Sequence, residues 1–137
     1  MVLVDSSAWI EGLRRKGRIE VKLALEGLLD EDKTLLCDPV RLEILGGARR
    51  NERRRLGQCL AVIPFRRCSA EDWENAIALA WRLRDHGVTV PWLDVLIAAI
   101  ALQDRIPVYA VDRHFPEIAE HTGLRLYEPG YGGSYNP

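Results

Sequence analysis

Four carboxylates interrupt apolar stretches of this 137-residue chain. Asp5 closes the run Val2 to Val4, Glu43 sits between Leu42 and Ile44, Asp94 is the only charged residue from Val90 to Leu102, and Asp112 closes Val108 to Val111. Each has an ordinary explanation when taken singly. Asp5 and Asp112 are the residue type that caps a helix or turn after a strand. Glu43 has Arg41 and Arg49 nearby to pair with, and Asp94 lies three residues after Pro91, where the positive end of its own helix favours a carboxylate. Burying Asp94 unpaired would cost roughly 3 to 5 kcal/mol, so it needs a partner. Brought together, the four would repel one another unless a cation sits among them or their pKa values rise. Oxygen donors without a cysteine or histidine pattern favour Mg²⁺, or Mn²⁺ in its place, over Zn²⁺. Such an ion activates a water and stabilises the charge of a phosphodiester under attack, so hydrolysis of a nucleic-acid backbone is the chemistry expected of this set.

Short apolar runs alternate with helical patterns. Val2 to Val4 predicts a strand, followed by a helix capped by Ser6 or Ser7 and carrying Trp9, Ile10 and Leu13 on one side. A helix over Ile19 to Leu29 ends in the acidic turn Asp30, Glu31, Asp32, and Thr34 to Cys37 predicts a second strand. Asp38 as cap and Pro39 in the first turn start a helix that runs through Glu43 toward Gly46 and Gly47. Asn51 caps a further helix through Leu60, and Ala61 to Phe65 reads as a short strand broken by Pro64. Ser69 with Asp72 makes a capping-box-like start for a helix with Trp73, Ile77, Ala80, Trp81 and Arg84 at helical spacing. Pro91 opens an apolar helix over Trp92 to Leu102, and Pro107 to Val111 is a buried strand. A helix over Pro116 to His121 and a last strand, Leu124 to Tyr127, follow. This alternation indicates a parallel sheet covered by helices on both faces. Ligands in such folds bind beyond the carboxyl ends of the strands, and the four acids lie at such ends or in nearby helix starts.

Val-Asp-Ser-Ser-Ala-Trp-Ile-Glu at 4 to 11, Arg-Leu-Glu-Ile-Leu at 41 to 45, Leu-Asp-Val-Leu-Ile-Ala-Ala at 93 to 99 and Val-Asp-Arg-His-Phe at 111 to 115 resemble, in order and spacing, the motifs of PIN domains of the VapC toxin type. The resemblance runs to about Tyr127. It implies an α/β fold, a three-layer α/β/α sandwich with a central parallel sheet, with a nuclease domain over 1–128; the Gly-, Pro- and Tyr-rich end over 129–137 is expected to be a flexible tail. It maps Asp5, Glu43, Asp94 and Asp112 onto the metal-binding acids of a magnesium-dependent endoribonuclease. Ser6 or Ser7 is available to order water or metal ligands. It also implies a cognate VapB-like antitoxin, whose C-terminal segment often places an arginine in the acidic pocket, a homodimer, and a structured RNA substrate such as tRNA or a ribosomal RNA loop. Two positions depart from the pattern: Ala110 stands where many relatives carry Thr or Ser, and His114 where they carry another acid. His114 either replaces that acid or faces solvent.

Composition agrees with one globular domain, at 47% hydrophobic and 28% charged residues with a net charge of -1. No apolar segment is long enough to span a bilayer, and Met-Val-Leu-Val-Asp reads as a buried strand rather than a signal peptide, so the cytoplasm is expected. Cys37, Cys59 and Cys68 are expected to remain thiols. Arg49, Arg50, Arg53, Arg54 and Arg55 form the densest basic cluster, either a contact for RNA phosphates or a solvated helix face. Trp9, Trp73, Trp81 and Trp92, at apolar helical positions, are expected in core or interface packing rather than in base stacking. A phosphoryl-transfer enzyme with Asp5 as nucleophile would want an acid at position 7, where Ser7 stands. The remaining alternative is an RNA-binding or scaffold PIN module without turnover, which predicts eroded acids.

Overall fold

The computed structural model describes all residues, 1–137. Strands β1 (Val2–Val4), β2 (Thr34–Cys37), β3 (Phe65–Arg66) and β4 (Val108–Tyr109) form one parallel sheet in the order β3-β2-β1-β4. Leu3, Val4, Leu36 and Val108 are wholly buried, as parallel strands covered on both faces must be. Seven helices flank the sheet: α1 (Ser6–Leu13), α2 (Ile19–Asp30), α3 (Asp38–Gly46), α4 (Arg53–Ala61), α5 (Ala70–Asp85), α6 (Trp92–Asp104) and α7 (His114–Glu120). The chain steps from β1 to β2 to β3 in one direction and then crosses back to β4, so right-handed crossovers put helices on both faces. The reversal falls between β1 and β4. A crevice opens there beyond the strand ends, where open parallel sheets bind ligands.

The most deeply placed helix is α6, in which Asp94 to Ala101 are all buried. Arg66 fixes it against α5. Its guanidinium donates to Asp104 at the end of α6 (Nε to Oδ2, 2.9 Å) and to the buried Asp72 at the start of α5 (Nη2 to Oδ1, 2.9 Å). Hydrogen bonds from Arg66 hold the Asp72 carboxyl below the usual range.

Several local expectations are corrected by competing contacts. Asp5, not Ser6 or Ser7, caps α1. Trp9 is buried there, but Ile10 and Leu13 are exposed. Asp38 is the first residue of α3 rather than its cap, and its carboxylate accepts from the Cys68 amide at 2.7 Å. Asn51 lies in a turn ahead of α4, and Glu52 takes the capping position, its carboxylate accepting the Arg49 amide. The expected strand at Ala61 to Phe65 begins only at Phe65, because α4 continues to Ala61. The helix placed at Pro116 to His121 starts earlier, at His114, and the strand placed at Leu124 to Tyr127 shrinks to one bridge between Val108 and Leu126. The capping box of Ser69 and Asp72 forms as read.

Residues 129–137, set apart above as a flexible tail, turn back on α2 through a 3-10 turn at Tyr131–Gly133. Gly27 is required at this contact, since a Cβ there would come within 2.4 Å of the Gly133 carbonyl oxygen. Tyr127 Oη accepts from the Asn136 amide at 3.1 Å. All three cysteines are free, and burial pushes the Cys37 thiol up to about 12. No helix is long and apolar enough to cross a membrane.

Candidate metal centre

The four acids converge from four separate elements. Asp5 leaves β1 with its amide donating to the Tyr109 carbonyl of β4 at 2.9 Å, so its position is set by the sheet itself. Its Oδ2 accepts from both the Ser7 amide (3.1 Å) and the Ser7 hydroxyl (2.6 Å). Ser7 Oγ in turn accepts from the Val111 amide at 3.1 Å, which ties the segment after β4 to the start of α1. Asp112 follows that segment. Its Oδ1 accepts from the amides of His114 (3.0 Å) and Phe115 (3.5 Å), the first two of α7, so one oxygen holds the start of that helix and Oδ2 remains for other use. Glu43 comes from the middle of α3 and Asp94 from the first turn of α6.

One ligand oxygen each from Asp5, Glu43 and Asp94 lie within 4.8 Å of one another, and a second triad of Asp94, Asp112 and His114 meets the same limit. Asp5 Oδ1 and Glu43 Oε1 are buried without any hydrogen-bond partner. An unpaired buried carboxylate oxygen is costly, and the pairing of Glu43 with an arginine at that oxygen does not occur. The only basic side chain within ion-pair distance of the four acids is His114, whose Nδ1 is 2.8 Å from Asp94 Oδ2 and 3.7 Å from Asp112 Oδ2.

The electrostatics follow. Burial, then repulsion from Asp5, Asp112 and Glu43, pushes Asp94 up to about 7, with His114 offsetting part of the rise. Burial raises Asp5 against the lowering effect of the Ser7 hydrogen bonds, and burial together with Asp5 raises Glu43. Buried carboxylates that lack a protein cation fit a hard divalent ion held by oxygen ligands. Asp5, Glu43 and Asp94 are therefore the residues that would hold it, with Asp112 and His114 beside them.

All four acids chosen from sequence meet in one place. Of the two serines, Ser7 holds Asp5, while Ser6 is buried next to it in the same turn. Sequence reasoning missed the link from Ser7 to Val111, which joins residues far apart in the chain and leaves no local pattern. The sequence leaves His114 between two roles. Its position two residues after Asp112 was the available signal, and the structure turns the ring onto Asp94.

The model of the PIN domain matches residues 2–121. The chain belongs to the PIN-domain family. Within it, this PIN domain is 32% identical over 130 residues to the VapC ribonuclease Mb1587 of Mycobacterium bovis, covering 91% of this chain and 96% of that one. The ribonuclease VapC11 of Mycobacterium tuberculosis matches to the same extent. Among solved structures, FitAB bound to an IR36 DNA fragment superimposes with a TM-score of 0.77 at 18% identity, over 93% of this PIN domain and 94% of that chain. VapBC2 from Rickettsia felis, bound to a DNA fragment from their promoter, gives 0.75 at 18% identity over 93% and 98%. At such identities the structural likeness concerns the fold, and the sandwich read from the sequence is the fold found.

Proposed function

We propose that this PIN domain is a metal-dependent endoribonuclease, Mg²⁺ or Mn²⁺ serving as its cofactor, and the toxin of a toxin–antitoxin pair. The observation that carries the reading is the set of buried carboxylate oxygens of Asp5 and Glu43, unpartnered beside Asp94 at the sheet's reversal point. A divalent cation held there supplies positive charge at the scissile phosphate and a water of lowered pKa. The chain's own residues do the rest. Asp5, Glu43 and Asp94 hold the charge in place, Ser7 fixes the orientation of Asp5, and Asp112 anchors α7 while keeping Oδ2 toward the site. The names of the VapC ribonuclease relatives support RNA as substrate. A binding module without turnover would have no use for buried acids kept at this cost.

The deciding experiment is cleavage of cellular RNA by purified, antitoxin-free protein with Mg²⁺ or with EDTA, beside Asp5→Asn and Asp94→Asn. Discrete fragments lost in EDTA and in both variants support the reading. RNA bound but never cut would replace it with the binding module.

A VapB-like antitoxin is the expected protein partner, and an arginine from it would bring to the acids the cation that this chain does not provide. The arginines around α4 are exposed and suit the RNA backbone. Cytoplasmic residence goes with this reading.

The chain is further proposed to be a homodimer, and an apolar face supports that part. Trp73, Ile77 and Trp81 follow at four-residue steps on α5 and are 54%, 45% and 67% exposed, and Trp92 at the start of α6 is 73% exposed. Only Trp9 of the four tryptophans is in the core; Ala76, Leu79 and Leu83 form the buried face of α5, which leaves the interface half of the expectation for the others. The exposed set lines a groove of about 320 Å³ with Ala80, Val95 and Leu96. Patches of this kind mark interfaces, and this one matches a second copy of the chain. The stripe is symmetric about Ile77, so a two-fold axis there sets Trp73 against the partner's Trp81. α5 is acidic at its start (Glu71, Glu74) and basic at its end (Arg82, Arg84), so antiparallel copies also match in charge. Three tryptophans exposed to this degree offer on the order of 100–170 Å² each, about half of the roughly 800 Å² that each side of a standard interface buries.

A further inference from the structure

The ligand atoms around Asp94 fall into two chemically different triads. Asp5, Glu43 and Asp94 offer oxygen alone, whereas Asp94, Asp112 and His114 add an imidazole nitrogen. That nitrogen is held in place. The His114 amide donates to Asp112 Oδ1, which fixes the first turn of α7, and Nδ1 of the same residue lies 2.8 Å from Asp94 Oδ2 and 3.7 Å from Asp112 Oδ2. Asp112 Oδ1 is used by two amides, so Oδ2 is the oxygen left to face the ring. The side chain of His114 is 29% exposed, which leaves its site open to ions from solvent. No lysine or arginine competes for these oxygens.

We infer that Asp94, Asp112 and His114 form a second cation subsite, distinct from the all-oxygen triad, and that its histidine makes it select a first-row transition ion over Mg²⁺. Mg²⁺ takes oxygen ligands and gives up its waters reluctantly. Imidazole gains strength along the series from Mn²⁺ to Cu²⁺ and contributes little toward Mg²⁺. Two carboxylates and one imidazole therefore bind Co²⁺ or Zn²⁺ in preference, while Asp5, Glu43 and Asp94 accept Mg²⁺. An acid at position 114 would erase that difference and leave two alike oxygen sites. His114 is thus a determinant of metal choice. The assignment draws on the proposed nuclease reading for its use in the cell, but the binding itself stands apart from turnover.

The test is Co²⁺ titration of the full-length, antitoxin-free chain in saturating Mg²⁺, read by visible absorption and by calorimetry, for wild type, His114→Asn and His114→Asp. Thermal melting of each variant without metal checks the fold; the backbone amide at position 114 still donates to Asp112 Oδ1, so both variants are expected to melt cooperatively. Wild type binds one Co²⁺ per chain despite the Mg²⁺. His114→Asn lowers that affinity by about 100-fold or more, since losing a ligand costs more than the roughly 10- to 100-fold of losing an outer-shell partner. His114→Asp still binds a divalent ion there but loses the preference for Co²⁺. Unchanged Co²⁺ affinity in His114→Asn, or an unchanged preference in His114→Asp, would overturn the inference. RNA cleavage is scored separately in the same preparations. Loss of Co²⁺ binding in His114→Asn from a protein that never cuts RNA leaves the subsite standing and removes the nuclease; Mg²⁺-driven cleavage with Co²⁺ binding indifferent to His114 does the reverse.

Discussion

Ser7 and Asp5 are joined through a single oxygen: Oδ2 accepts from both the amide and the hydroxyl of Ser7, and Oδ1 is left buried and unpartnered. Ser7 thereby decides which oxygen of Asp5 is available to a cation. Ser7→Ala removes the 2.6 Å bond and the link to Val111. The expected result is a roughly 10- to 100-fold loss of Mg²⁺ affinity or cleavage and a stability loss of about 1–3 kcal/mol. Calorimetric metal titration and chemical denaturation of the same variant separate the two. Full metal affinity in Ser7→Ala would show that Asp5 needs no such support.

Asp94→Asn is expected to stop cleavage and yet to make the metal-free protein more stable at neutral pH. Replacing a carboxyl pushed up to about 7 by an amide of the same shape relieves burial and repulsion by Asp5, Asp112 and Glu43. The gain is on the order of 1–3 kcal/mol, read as a higher melting temperature in EDTA. A variant that is less stable than wild type under those conditions would contradict this account of the site.

Metal-free wild type should lose stability as pH rises from about 4 to about 7. Asp94, Asp5 and Glu43 have folded pKa values above their ordinary ones, so the native state holds more protons than the unfolded chain across that window. Their contribution is fully present below the ordinary carboxylate range and vanishes as pH passes the raised values. Added Mg²⁺ should reverse the trend, since its ligands must be deprotonated to bind. Melting curves at stepped pH, with and without Mg²⁺, measure both; a flat metal-free profile would show that burial does not govern these groups.

Ile77→Glu sets two like charges on the axis of the proposed dimer, and Trp81→Glu removes a packing partner. Both side chains are exposed in the single chain, so each variant should fold with little change, within about 0.5 kcal/mol, while sedimentation shifts from dimer to monomer. A wild type that is monomeric at high concentration would rule out this face as a self-interface.

Periodicity made the sandwich legible, because β1 and β2 are apolar runs, and Asp94 stood out as the one charge in an apolar helix; that the four acids meet followed from the resemblance of the motifs rather than from any local signal. Tertiary competition hid the rest. Asp38 carries the features of a helix cap, yet the Cys68 amide takes its carboxylate. The Trp73, Ile77 and Trp81 stripe has the same spacing as a core face, and only the presence of Ala76, Leu79 and Leu83 on the opposite side shows which stripe turns inward. Glycine and proline content suggests a loose tail, and composition carries no signal for where that tail lies, here against Gly27 of α2.

The double duty of Asp5 bears on how such a chain drifts under selection. Position 5 caps α1 with one oxygen and serves the site with the other, so most replacements there damage folding and activity together and yield chains that are cleared. At position 94 a change to Asn silences the site while relieving strain, giving an inactive protein that persists. In a culture selected for loss of cleavage, surviving full-length alleles should therefore gather at position 94 and be scarce at position 5, although both residues belong to the same centre.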